Sequence, residues 1–416
     1  MKNSRKRFSE INIFFRLSPF LLLYLIICLS FATNEFIGDE ERYVQFAHNL
    51  LNGFYASPHS DTFLWNGPGY PLLIAPFLFF KLPLLTLKLL NAVLLYVSLI
   101  ISYKTFNFYS SKKNSLVFTI LLGLYFPIFE MIPFLLTEIL TWFLISLICF
   151  LFVKVYKQKI ITWKLILLAA TAIAYLAMTK VIFGYVILLM IFASAFMFLL
   201  PQFRNSAKKS ILVFALSMIF CLPWLIYTYS LTGKIFYWTN SGNMSLYTMS
   251  TPYSNELGDW SHEDSLSLSP NHKAFMDSIS VLSPLQKDEA YKNAALNNIK
   301  NHPKKYFSNW IANIGRLLFS YPYSNKQQSI NTYFTFLPDM FIVVIITLTF
   351  SISIIHYKRF PEGMIFLLLF IFIYLFGCSL VSAYRRMFYI TMPFWFLYFS
   401  YFFDRIVSVK IHGPEQ

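Results

Sequence analysis

The sequence predicts an all-α polytopic membrane protein with about ten transmembrane helices, and three observations predict it. The 416 residues are 57% hydrophobic and only 13% charged, with a mean hydropathy of +0.56, whereas a soluble domain is about a quarter charged. Apolar runs of about 15–23 residues recur almost to the end, enough to cross a hydrocarbon core roughly 30 Å thick. The excess of basic over acidic residues, finally, falls in alternate loops.

Spans are expected at 17–33, 84–104, 114–129, 132–153, 161–179, 182–201, 210–230, 335–356, 362–381 and 387–404. The stretch "YPLLIAPFLFFK" at 70–81 is too short to cross and is bracketed by prolines, so it reads as an interfacial or re-entrant helix. The N-terminus is basic and then apolar with no small-residue cleavage site, which reads as an uncleaved first span. Three parts are expected: a transmembrane module over 1–230 with a first outer loop at 34–69, an external cap at 231–334, and C-terminal transmembrane helices at 335–416. Short helices are expected in the cap near 284–300 and 303–320.

This layout places both termini on one side, together with 19 of the 34 Lys and Arg and only four acids (Glu10, Glu362, Asp404 and Glu415). The rest of the chain holds 15 bases and 15 acids. The whole net charge of +15 therefore lies on one side, as the cytoplasmic side of an inner or plasma membrane requires. Basicity is an orientation signal here, and no nucleic-acid partner is expected. Cys28, Cys149, Cys221 and Cys378 each sit inside an apolar run, with no spacing that suggests a metal or disulfide framework.

"IGDEERYVQFAHNLLNGFY", residues 37–55, concentrates charge where the first span ends. Tyr43, Phe46, Ala47, Leu50, Leu51 and Phe54 recur at helical spacing, which predicts an amphipathic helix lying on the membrane. Asp39 would be its N-cap, with Glu40 and Glu41 in the first turn, a placement that capping alone can explain.

The other charges on the outer side favour chemistry. Glu138 in "TEIL" lies about six residues inside its span, roughly 9 Å deep, where an ionisable group needs a partner or a polar cavity. Lys180 and the pair Arg385–Arg386 also stand at outer ends of spans. Together these residues predict an outward-opening polar pocket. There a cation can hold a lipid-linked phosphate while a carboxylate takes a proton from an incoming hydroxyl. Arg385, about 100° from Arg386 around a helix, is expected to reach for headgroups instead.

Several motifs resemble those of the GT-C glycosyltransferases, in the branch of the protein O-mannosyltransferases and lipid A aminoarabinose transferases. "DEERY" at 39–43 is similar to that family's first-loop acidic pair. "NGPGYPLLIAPF" at 66–77 is similar to its Pro-rich segment, and "TEIL" at 137–140 to its second acidic site. "LPWLIYTYSLTGKIFYWTNSGNMSLY" at 222–247, "NHPKKYF" at 301–307 and "RMFYITMP" at 386–393 resemble later segments. The sequence departs from the branch at Trp65-Asn66-Gly67, Tyr227-Thr228 and Ile390.

The resemblance implies transfer of a sugar from a polyprenyl-phosphate donor to a lipid, protein or glycan acceptor, with inversion, on the outer face. It makes Asp39 the general base, with Glu40 and Glu138 in support, and Arg42, Lys180 and Arg386 the groups on the lipid phosphate. Tyr43, Tyr70 and Trp224 are candidates for sugar or acceptor contact. With only carboxylates as ligands and no clear cluster, no obligatory metal is expected, although some branches use a divalent ion. The alternatives are a lipid-linked sugar flippase or secondary transporter, an O-antigen-type polymerase or ligase, and a membrane scaffold. A transporter calls for midplane charges and an internal repeat, neither of which is visible.

Overall fold

The computed structural model describes residues 2–33, 35–57, 62–324 and 330–406, with 2–12 and 330–335 as backbone only. Asn34 and 58–61 of the first loop, 325–329 of the expected cap and 407–416 lie outside the described residues.

The described residues form helices and no strand. The chain runs α1 (Lys2–Phe31), α2 (Glu40–Leu51), α3 (Gly69–Phe79), α4 (Leu84–Phe106), α5 (Lys112–Gly123), α6 (Thr137–Lys157), α7 (Trp163–Thr179), α8 (Ile182–Phe198) and α9 (Arg204–Thr232). Five short helices follow: α10 (Gly242–Met249), α11 (Glu263–Leu268), α12 (Lys273–Ile279), α13 (Pro284–Asn301) and α14 (Pro303–Phe319). The chain ends with α15 (Ile330–Ile355), α16 (Glu362–Ser379), α17 (Arg385–Tyr389) and α18 (Met392–Arg405).

Among the described residues, six helices are long and apolar enough to cross a membrane: α1 from Ile13, α4, α6, α9, α15 from Phe336, and α16. The chain is thus a multi-pass membrane protein. With 17 residues each, α7 and α8 stand at the short end of the spanning range. The expected spans 114–129 and 387–404 are interrupted. The first becomes the 12-residue α5 and a 3-10 turn, Phe126–Met131; the second divides between α17 and the 14-residue α18. Proline explains both breaks: Pro127 and Pro393 lack the N–H that would continue the preceding helix, and each stands in the first turn of the element that follows. α6 is the centre of the bundle, with 72% of its span buried against 22% for α1 and α15. It packs on α4, α7, α16 and α18.

α2 is more buried than a helix lying on lipid. Tyr43, Val44, Phe46 and Ala47 are in the core and the helix packs on α3, while Leu51 is exposed. Gly38 and Gly53, with φ of 63° and 85°, supply the left-handed turns at its two ends. The short apolar helix expected at 70–81 is α3, and the two expected near 284–300 and 303–320 are α13 and α14.

The segment between α9 and α15 has its own small core of Met244, Tyr247, Leu266, Met276, Ile279, Tyr291 and Ala295. α14 helps tie it to the bundle, and its Asn309, Asn313 and Arg316 share one face and are fully buried. Asn309 donates to the carbonyls of Met249 and Thr251, both at 3.0 Å. Asn313 donates to the carbonyls of Ser379 and Val381 at 2.7 and 2.6 Å, and its Oδ1 accepts from the Ala383 N–H at 2.9 Å. Arg316 donates to the carbonyls of Leu257 and Pro322. One polar helix face thereby fixes the backbone just ahead of Arg385 and Arg386.

Candidate active site

Asp39 occupies the N-cap position of α2 but makes no side-chain capping bond. Its carboxylate turns to cations: Oδ1 accepts from Arg42, and Oδ2 lies 3.7 Å from Nη2 of Arg386. Glu40 takes the structural part. It is fully buried, and its Oε2 accepts from the Ile37 N–H at 2.8 Å while Oε1 accepts from the Leu135 N–H at 2.7 Å. Lys88, itself buried, stands 3.4 Å from Oε1 and donates to the carbonyl of Thr33 at 2.9 Å. Glu40 therefore joins α2, α4 and the turn before α6.

Glu138 stands in the first turn of α6, 1% exposed. Its Oε1 accepts from Lys180 Nζ at 2.9 Å and lies 3.8 Å from Nε of Arg386. Its Oε2 is buried with no hydrogen-bond partner among the described residues. Lys180 sits in the turn between α7 and α8, and the "NGPGYP" motif holds that turn. A Cβ on Gly67 would come 2.3 Å from the Met178 carbonyl oxygen, and one on Gly69 2.5 Å from Thr179 Oγ1 and 2.6 Å from its N. Only glycine permits such close packing. The Tyr175 hydroxyl then donates to the Gly69 carbonyl at 2.9 Å.

Arg385 does not reach for headgroups. It pairs with Glu130 of the 3-10 turn at 2.5 Å and lies over the ring of Tyr389. The reason is that Glu130 gives the guanidinium a charged partner within the protein, which leaves its side chain only 18% exposed.

The result is a row of five alternating charges, Arg42, Asp39, Arg386, Glu138 and Lys180, with a cation at each end. Beside it opens a cavity of about 610 Å³. Asp39, Tyr43, Glu138, Lys180 and Arg386 line it, so five of the nine site residues expected from sequence come together. Burial, and then the charges of Asp39 and Glu138, push the Tyr43 hydroxyl upward, so it stays protonated beside the two carboxylates.

The other four take different places. Glu40 is behind the cavity, as described. Arg42 holds Asp39 and lies over the Trp65 ring at 5.4 Å. Tyr70 is buried edge-on against Tyr43, with ring centres 5.1 Å apart. Trp224 donates to the Trp238 carbonyl and packs against Tyr55 and Tyr227. Sequence reading missed the rest of the wall: Trp65, Asn66, Ser241, Ser245, Trp260, His262, Tyr374 and Tyr384. A signal existed for Trp65, adjacent to the glycine motif; the isolated Trp260 offered none. Among the described residues, no three His, Cys, Asp or Glu side chains are grouped to hold a metal ion.

No family model and no curated protein matches the chain. Among solved structures it is similar to ArnT from Cupriavidus metallidurans bound to undecaprenyl phosphate, at 12% sequence identity over 87% of this chain and 77% of that one, with a TM-score of 0.42.

Proposed function

We propose that the protein is an integral membrane glycosyltransferase of the GT-C type, moving a sugar from a polyprenyl-phosphate donor to an acceptor hydroxyl. The observation that carries this reading is the row of five charges beside the cavity. Three bases against two acids leave one positive charge in excess, at the end of a helix bundle where a lipid phosphate can enter from the side. At an effective dielectric of about 20, a unit charge 4 Å from a fixed cation gains about 4 kcal/mol before solvation is counted. The sequence resemblance supports the same chemistry, since the "DEERY", "TEIL" and "RMFYITMP" motifs all meet in this row.

In the proposed step, Oδ2 of Asp39 accepts the acceptor's hydroxyl proton as that oxygen attacks the anomeric carbon from the side opposite the phosphate. The bond from that carbon to the phosphate oxygen breaks, and its electron pair leaves with the polyprenyl phosphate. A single displacement inverts the anomeric centre. Arg386 and Lys180 meet the charge that grows on the leaving oxygen. Glu138 aligns both cations, and Arg42 holds Asp39 in place. Because bases meet the phosphate, the step requires no divalent ion. The positive-inside distribution puts the cavity and the 231–334 segment outside, with both termini in the cytoplasm.

The test is donor binding by the purified full chain in lipid nanodiscs. Bare polyprenyl phosphate should bind, and the double variant Arg386→Ala/Lys180→Ala should lose it. A wild-type protein with no affinity for polyprenyl phosphate overturns the reading and favours a scaffold. Transport of the lipid-linked sugar across a sealed vesicle, without transfer, favours the flippase.

A further inference from the structure

The charge pattern of the cavity also bears on which sugar the donor carries, an inference that rests on the transferase reading above. Each carboxylate in the described lining already has cations: Asp39 has Arg42 and Arg386, and Glu138 has Lys180 and Arg386. No third acid lines the cavity among the described residues. A polyprenyl-phosphate sugar is a phosphodiester with one negative charge, which matches the single positive excess of the row. An uncharged sugar leaves that balance at zero. A protonated aminosugar restores an uncompensated positive charge next to Lys180 and Arg386, where both lining carboxylates are already ion-paired.

The remaining wall suits hydroxyls. Trp65, Trp260 and Tyr384 are half-buried on the cavity. Trp260 stands edge-on to His262 with ring centres 4.2 Å apart, and 6.2 Å from Tyr384. Such rings cover the C–H face of a sugar, while polar neighbours fix its hydroxyls. Ser241 and Ser245 stand in the lining, where they can hydrogen-bond with them. We propose that the sugar transferred is a neutral hexose-type ring, held against Trp260 and Tyr384, and that cationic aminosugar donors are rejected.

The test compares three probes on the full chain in nanodiscs: a polyprenyl-phosphate hexose, the same lipid carrying an aminopentose, and bare polyprenyl phosphate. The hexose lipid should bind about tenfold or more tighter than the aminopentose lipid, since like charges placed together repel. Trp260→Ala should weaken the hexose lipid by up to about tenfold and leave bare polyprenyl phosphate unchanged. Equal or tighter binding of the aminopentose lipid overturns the inference while leaving the transferase reading intact. A Trp260→Ala protein that keeps full hexose affinity removes the sugar from this wall and overturns it too. If no probe binds, the transferase reading itself fails.

Discussion

Arg386 joins the two carboxylates of the cavity, with Nη2 3.7 Å from Asp39 Oδ2 and Nε 3.8 Å from Glu138 Oε1. Both separations are longer than a charge-assisted hydrogen bond, which closes to about 2.7–2.9 Å. The guanidinium is therefore electrostatically held without having its N–H groups saturated, and a phosphate can take them in a bidentate contact. Lys keeps the charge but loses the fork. Arg386→Lys should weaken donor binding about tenfold, and Arg386→Ala should cost more in both binding and turnover. Arg385→Ala acts differently, because it strips the partner from Glu130; a loss of stability of about 1–3 kcal/mol is expected, read as a lower melting temperature in detergent.

Asp39 makes no capping bond, so Asp39→Asn should leave α2 and expression intact. It removes the proton acceptor, which for a general base costs about 10²–10⁴ in rate. Donor binding should persist while turnover falls. A well-expressed Asp39→Asn protein with full turnover would remove Asp39 from the chemistry and leave the phosphate site standing.

Gly69 ought to be nearly as sensitive as the charges. Its added methyl in Gly69→Ala meets the backbone of Thr179, which cannot give way as a flexible side-chain tip can. The turn carrying Lys180 must shift, at a stability cost of about 1–3 kcal/mol for overpacking. Donor affinity should fall with it. An unchanged melting temperature and donor affinity would show that the close approach of Gly69 to Thr179 does not position Lys180.

Acid should loosen the cap before it unfolds the bundle. Burial alone would raise the Glu256 carboxyl, but hydrogen bonds from His272, Asn271 and Thr251 outweigh it and hold the group at about 2, below its ordinary 4.5. A group with its folded pKa depressed contributes stability above its unfolded pKa, and that contribution is lost as pH falls through the folded value. The cap's protection against proteolysis should therefore decline between about pH 4.5 and 2. Glu256→Gln should start lower and show a flatter profile over that window, and an unaltered profile in the variant would take Glu256 out of the effect.

Much of this was legible in the sequence, and the physics explains which parts. Helices announce themselves by apolar period and prolines by their missing N–H, so α3, α13 and α14 are found close to where they were expected. Charges at the outer ends of spans converge because a membrane protein has few places for them, which brought Asp39, Glu138, Lys180 and Arg386 into one row. What neighbours in sequence share is less informative. Glu40 sits one residue from Asp39 and serves the fold, and Arg42 steadies a carboxylate more directly than it meets a ligand. The polar face of α14 was hidden because Asn309, Asn313 and Arg316 resemble a solvated stripe until the carbonyls they satisfy are known. Trp260 was hidden for the opposite reason, since a lone aromatic in a Ser-rich loop has no period to reveal its side.

The most direct measurement of the central claim is mass spectrometry of polyprenyl-linked sugars and surface glycans in cells lacking the protein, complemented with wild type or Asp39→Asn. The account predicts that one sugar disappears from its glycan, that its polyprenyl-phosphate donor accumulates, and that wild type alone restores both. Unchanged glycans and an unchanged donor pool in the deleted cells, or full restoration by Asp39→Asn, would contradict it.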